Sequence, residues 1–162
     1  MATNNFFLVP QIVATDKYFD VSIPEMLRAV SSTSGKFERS EEQLVADEYG
    51  VEHPVLMRLN VNCQSVVPQG WTVALKLHKI RVDGIDWEQD FDAIDGTKGH
   101  GWHRHQWNQR KQDAKDSKIP LADFDNVDAR EQFLIRALSL LKIKWNKVDY
   151  GDQLSMGEGP AA

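Results

Sequence analysis

Three alternating runs placed close together in the middle of the chain constrain its fold more than any other feature. Val55, Met57, Leu59, Val61 and Cys63 alternate with Arg58, Asn60, Asn62 and Gln64 between Pro54 and Pro68. After a turn at Pro68-Gln69-Gly70, Trp71, Val73, Leu75 and Leu77 continue the same period. The phase slips near Lys79, Ile80 and Val82 before Asp83-Gly84, which predicts a bulge or bend there. A third run, IDWEQDFDA, puts Ile85, Trp87, Phe91 and Ala93 on one parity and Asp86, Glu88, Asp90 and Asp92 on the other. Period-2 alternation marks a strand with one buried face. The connections are too short for parallel crossovers, so the three runs predict an antiparallel meander.

The flanking segments complete an α+β reading. Asp128, with Glu131 three residues on, has the spacing of a helix start, and Phe133, Leu134, Ala137, Leu138, Leu141 and Trp145 recur at helical intervals. This helix is expected to lie on the inner face of the meander, with Lys142, Lys144 and Lys147 near its negative pole. Upstream, Ile23-Pro24 opens a short helix to Val30, and Ser40 with Gln43 matches a capping box for a second short helix ending at Tyr49-Gly50. The rest of the first fifty residues is poorly readable. The expected architecture is an antiparallel meander of three or more strands packed against a C-terminal helix. It forms one domain over 1–150, followed by a small, polar, disordered tail at 151–162.

Cys63 is the only cysteine, which excludes an intrachain disulfide and four-cysteine zinc sites and fits a reducing compartment. Its place in a strand pattern assigns it to the core rather than to thiol chemistry. The N-terminus lacks the pattern of a signal peptide, and no apolar run approaches the ~18 residues that would span a bilayer. The expectation is a cytoplasmic protein without a membrane partner.

Charge is distributed unevenly. Residues 1–97 hold 15 acids and 8 bases, whereas 98–162 hold 11 bases and 9 acids. Lys98, Arg104, Arg110, Lys111, Lys115 and Lys118 cluster against only Asp113 and Asp116, so a polyanion would dock here. The segment 108–118 is otherwise nearly devoid of apolar residues and reads as a loop or a solvated helix extension.

The chemistry-bearing stretch is GHGWHRHQW, which follows the acidic run after Asp95-Gly96. On an extended backbone His103 and His105 point the same way. Three uses remain open. With His100 and a carboxylate from Asp90 or Asp92, they are ligands for zinc, manganese or iron. As a general base and a general acid, they are the minimum equipment for metal-free RNA cleavage. As polar groups of a wet loop beside Arg104, they have no chemistry at all. Trp102 and Trp107 beside Arg104, Arg110 and Lys111 suit single-stranded RNA or DNA, with rings stacking bases and cations holding phosphate; the same rings also suit anchoring to the core. No phosphate-cradling glycine loop, G-x-S-x-G elbow or H-E-x-x-H motif is present.

The order strand, acidic strand, Asp-Gly turn and GHGWHRHQW, followed by REQFLIRALSLLK, resembles the small TumE-like toxins of bacterial toxin-antitoxin modules. The likeness runs over about residues 75–145. The chain departs from that family in lacking an Asp-Asn-Ala step before the histidines and in carrying about fifty further N-terminal residues. The resemblance implies a growth-inhibiting protein that acts on RNA with ribonuclease-like activity and binds a cognate antitoxin, with Asp92, Asp95, His103 and His105 as the catalytic positions. Two other functions stand beside it. One is a noncatalytic binding or inhibitor module of phage, mobile-element or defence origin, using its acidic strand or basic loop. The other is a divalent-metal hydrolase or ligand binder using H-x-H with a carboxylate.

Overall fold

The computed structural model describes residues 5–145, and there the expected meander is the centre of a larger antiparallel sheet. Six strands follow one another in chain order: β2 (Lys36–Ala46), β3 (Glu52–Asn62), β4 (Thr72–Leu77), β5 (Ile80–Asp92), β6 (Lys98–His105) and β7 (Lys118–Pro120). A short parallel pair, β1 (Lys17–Phe19) with β8 (Ile143–Trp145), stands apart from this sheet. Three helices complete the α+β fold among the described residues: α1 (Val9–Ala14), α2 (Ile23–Val30) and α3 (Arg130–Leu140). No helix among them is long and apolar enough to cross a membrane. The segment 151–162 and Lys147 lie outside the described residues.

The helix expected from Ser40 to Tyr49 is instead strand β2, paired with β3 from Lys36↔Asn62 to Ala46↔Glu52. The capping-box spacing was a local signal, and helix propensities differ by only a few tenths of a kcal/mol per residue. Each ladder hydrogen bond contributes roughly 0.5–1.5 kcal/mol net, and the pairing also covers the edge of β3. The breaker at Gly50 closes the hairpin with φ 81°, while Asp47 Oδ1 accepts from the amides of Tyr49 and Val51. Polar residues of β2 hold the N-terminal elements: Gln43 Oε1 accepts from the Tyr18 amide, and Arg39 pairs with Glu25 at 2.8 Å.

The phase slip near Lys79 has two causes. His78 and Lys79 both have positive φ, at 50° and 70°, and form the two-residue turn between β4 and β5. A register shift at Leu75/Lys76 then accommodates one extra residue in β5. Asp83-Gly84 therefore lies inside β5. The histidine segment, expected as a loop, is strand β6, and the Asp95-Gly96 turn before it is present as expected, with Gly96 at φ 88°.

At the C-terminus, α3 begins at Arg130 without a side-chain cap; Asp128 offers its backbone amide to Gln132 Oε1 at 3.4 Å instead of capping the helix. The helix ends at Leu140, Lys142 turns the chain with φ 58°, and Trp145 belongs to β8 rather than to the helix. Lys144 likewise lies in that strand.

One apolar core joins Met57, Leu59, Leu75 and Ile85 of the sheet to Phe133, Leu134, Ala137 and Leu138 of α3. The N-terminal segment packs into this core through Leu8, Ile12, Phe19, Ile23, Met26 and Val30. α2 is capped by Ser22, whose hydroxyl accepts from the Glu25 amide. Cys63 is buried at the end of β3, and burial pushes its thiol up to about 12, which removes thiolate reactivity.

Lys17 is only 1% exposed. Its ammonium donates to the carbonyls of Ile12 (2.7 Å) and Thr15 (2.8 Å), closing the end of α1. Burial lowers its pKa to about 8 despite the nearby Asp83 carboxylate. Below pH 8 the folded chain carries the full cost of the buried charge. Between pH 8 and 10.5 the folded state sheds the proton while the unfolded chain keeps it, so stability rises across that window. Denaturant unfolding is therefore expected to show wild type gaining stability relative to Lys17→Met as pH rises from 8 to 10.5. A constant difference would contradict the assignment.

Candidate functional site

β5 and β6 pair in a register that sets Asp86 opposite His103, Gly84 opposite His105 and Glu88 opposite Gly101. Directly paired residues share a face, so Asp86, Glu88, His103 and His105 stand together. β7 adds Lys118 opposite His105. This face lies opposite Trp102, which is buried against Phe133, Phe124 and Trp71 with ring centroids 4.9, 5.8 and 6.5 Å away.

The histidines are well covered. His103 is fully buried and His105 is 4% exposed. An irregularity between Glu88 and Phe91 breaks the parity of the acidic run and brings the Phe91 ring to 4.4 Å from His103. Gly99 leaves room for that ring, because a Cβ at this position would sit 2.3 Å from Phe91 Cζ. His105 is covered by the 106–117 segment, which is pinned by the Ala114 amide donating to Arg81 O and by Gln106 donating to Ser117 O.

The polar contacts converge on Asp86. Its Oδ1 lies 2.5 Å from His103 Nε2 and 3.1 Å from His105 Nε2, while Arg81 Nη1 reaches Oδ2 at 3.1 Å. Glu88 Oε1 is 3.2 Å from His103 Nε2 and pairs with Lys118 at 2.7 Å. Burial pushes the Asp86 carboxyl up, but hydrogen bonding and charge from His103 and His105 outweigh it, holding the group well below the usual carboxylate range. The other imidazole nitrogens face main-chain carbonyls: His103 Nδ1 donates to Gly101 O at 3.2 Å, and His105 Nδ1 to Ala114 O at 2.8 Å. Within the described residues, Asp86, His103 and His105 are the one group of metal-ligating side chains whose ligand atoms lie within 4.8 Å of one another.

The sequence-expected residues divide sharply. His103 and His105 are joined, but their carboxylate is Asp86. Asp90 is paired with His100 at 2.7 Å, with both side chains exposed, and neither belongs to the cluster. Asp92 is ion-paired with Lys98 on the surface, and Asp95 Oδ1 accepts from Thr97 to shape the turn, so both expected catalytic aspartates are engaged elsewhere. Trp102 is core and cannot stack a nucleobase. Arg104 is turned away to a bidentate pair with buried Asp83, at 2.9 and 2.8 Å, which removes it from phosphate binding. Trp107 is half-buried against Phe6, 5.6 Å between centroids, while Arg110 and Lys111 remain exposed on the 106–117 segment.

A cleft of about 470 Å³ adjoins the cluster, lined by Lys76, Lys79, Arg81, Lys115 and Lys118 together with His105 and the acids Asp113 and Asp116. Lys76, Lys79 and Arg81 are not legible as part of the basic cluster from sequence, because they lie on β4, its turn and β5, about twenty residues before the stretch 98–118. Asp86 was present in the acidic run, and only the hairpin register singles it out.

Comparison of the chain with protein-family models, with curated proteins and with solved structures returns no significant match.

The Gly99–Phe91–His103 stack predicts a specific sensitivity. Gly99→Ala is expected to displace the Phe91 ring and cost ~1–3 kcal/mol, as overpacking does. Urea midpoints read the loss, and His103 ring resonances should shift with it. An unchanged midpoint with unchanged His103 resonances would rule out this packing.

Proposed function

We propose that the protein acts on RNA, with the phosphates of a single strand held in the basic cleft beside His105. The observation that carries this reading is the joining of five cationic side chains and His105 in one cleft wall, backed by the Asp86–His103 pair. Lysine and arginine contacts to phosphate supply affinity without reading sequence. With Trp102 in the core and no Phe, Tyr or Trp in the cleft lining, recognition there is dominated by the backbone. The resemblance over 75–145 supports placing this activity in a toxin-like, growth-inhibiting role in the cytoplasm, restrained by a cognate protein partner.

His105 is the ring next to substrate, because His103 has no exposed surface. The carry-over of Asp92 and Asp95 as catalytic groups is replaced by Asp86. A second reading, a noncatalytic binding module of phage or mobile-element type, is favoured by one observation: both nitrogens of His105 already have partners. In that case the cleft binds a strand without cutting it.

Binding of a fluorescent single-stranded RNA is expected to weaken steeply with salt. Lys79→Gln/Lys115→Gln should weaken binding to all sequences alike and flatten the log–log salt slope by roughly 0.7 for each phosphate that is no longer neutralised. Induced expression in bacteria should arrest growth and degrade total RNA with the wild type but not with His105→Ala at equal protein level. RNA binding without degradation would select the binding module. Absence of both would reject the RNA reading.

A further inference from the structure

We infer that Asp86, His103 and His105 form a binding site for one divalent transition-metal ion of the zinc class. The argument begins with hydrogen positions. A main-chain carbonyl only accepts, so the Nδ1 atoms that face Gly101 O and Ala114 O carry the protons of both rings. In the neutral imidazole, Nε2 then presents a lone pair; that of His105 points at the Asp86 carboxylate, 3.1 Å away, and that of His103 lies beside the same carboxylate. Acceptors facing one another in a buried site repel unless a proton or a metal ion lies between them, and the orientation of His103 separates the two.

A second observation points the same way. His103 Nε2 is a buried nitrogen with no hydrogen-bond partner, although Asp86 Oδ1 is close; the carboxylate does not lie where an N–H would point. Nearly all buried polar atoms in native proteins are satisfied, and a bound ion is one of the few explanations for an exception.

The geometry fits a small ion. Bonds of about 2.0–2.2 Å in a tetrahedron set ligand atoms roughly 3.3 Å apart. His105 Nε2 to Asp86 Oδ1 is 3.1 Å, and the ligand atoms of all three side chains lie within 4.8 Å of one another. The outer contacts are those expected around a metal: carbonyls on the Nδ1 protons fix both rings, and Arg81 holds the free oxygen of Asp86. Two imidazoles and one carboxylate favour zinc, iron, cobalt or nickel over magnesium or calcium.

Three protein ligands leave at least one coordination position for water or substrate. Such a position supplies what the RNA reading otherwise lacks, since His105 has no free nitrogen of its own. The inference deepens that reading and rests on it only for the purpose of the site.

Chelator-stripped wild-type protein is titrated with Co²⁺ and Zn²⁺, without RNA. The expected result is one ion per chain, visible d–d bands for Co²⁺, their displacement by Zn²⁺, and a rise in Tm on metal addition. Asp86→Asn and His105→Gln, shown folded by circular dichroism, should lose more than the ~10–100-fold in affinity that removal of an outer-shell partner costs. Lys79→Gln/Lys115→Gln should keep the metal while losing RNA. Folded wild type that takes up neither ion, or nitrogen NMR showing both rings protonated at Nδ1 and Nε2 with metal present, overturns the site. Metal bound in full with no RNA affinity supports the site and removes the RNA reading instead.

Discussion

The register between β5 and β6 is the constraint on which the rest of the molecule depends. A strand presents its side chains with period two, so a slip of one residue would send every one of them to the opposite face. In the observed register Trp102 enters the core and stacks on Phe133, while His103 and His105 face Asp86 on the other side. Burial of Trp102 and Ile85 sets the register, because an aromatic ring and a branched aliphatic left in water would forfeit roughly 1.5–3 kcal/mol each. The histidine cluster inherits its geometry from that choice.

The same strand pair carries charge on both of its faces. On the core side, Asp83 holds Arg104 in a bidentate pair; on the other, Asp86 gathers His103, His105 and Arg81. Removing one partner of a buried pair leaves an uncompensated charge, at a cost of ~3–5 kcal/mol. An interior built this way is sensitive to single substitutions and strongly specifies one arrangement. Arg104 lies between the two histidines in sequence yet takes no part in their chemistry, because adjacent strand residues point apart.

Legibility of the fold followed the length scale of the interaction. Alternation at Val55–Cys63, Trp71–Leu77 and Ile85–Ala93 was readable because each run carries its own burial pattern. Ser40–Tyr49 was not: its capping-box spacing is local, whereas its pairing with β3 is decided by a neighbouring strand. Trp102 beside three bases reads as a stacking residue until Phe133, thirty-one positions away, is placed against it. The turn at His78-Lys79 carried no glycine or asparagine to announce its positive φ values.

Several features follow from the sequence by itself: an antiparallel meander, a helix over most of Asp128–Leu141, a single core cysteine, and two histidines of like parity near a row of carboxylates. Only the tertiary structure decided that Asp86, not Asp90, Asp92 or Asp95, completes the cluster, and that Lys76 of β4 and Lys79 of the β4–β5 turn join Lys115 and Lys118, before and at the start of β7, in one cleft. The physical reason is that periodicity tells a side chain's face, whereas its partner depends on register, bulges and the route of the covering loop. Those are settled by burial of residues far apart in the chain.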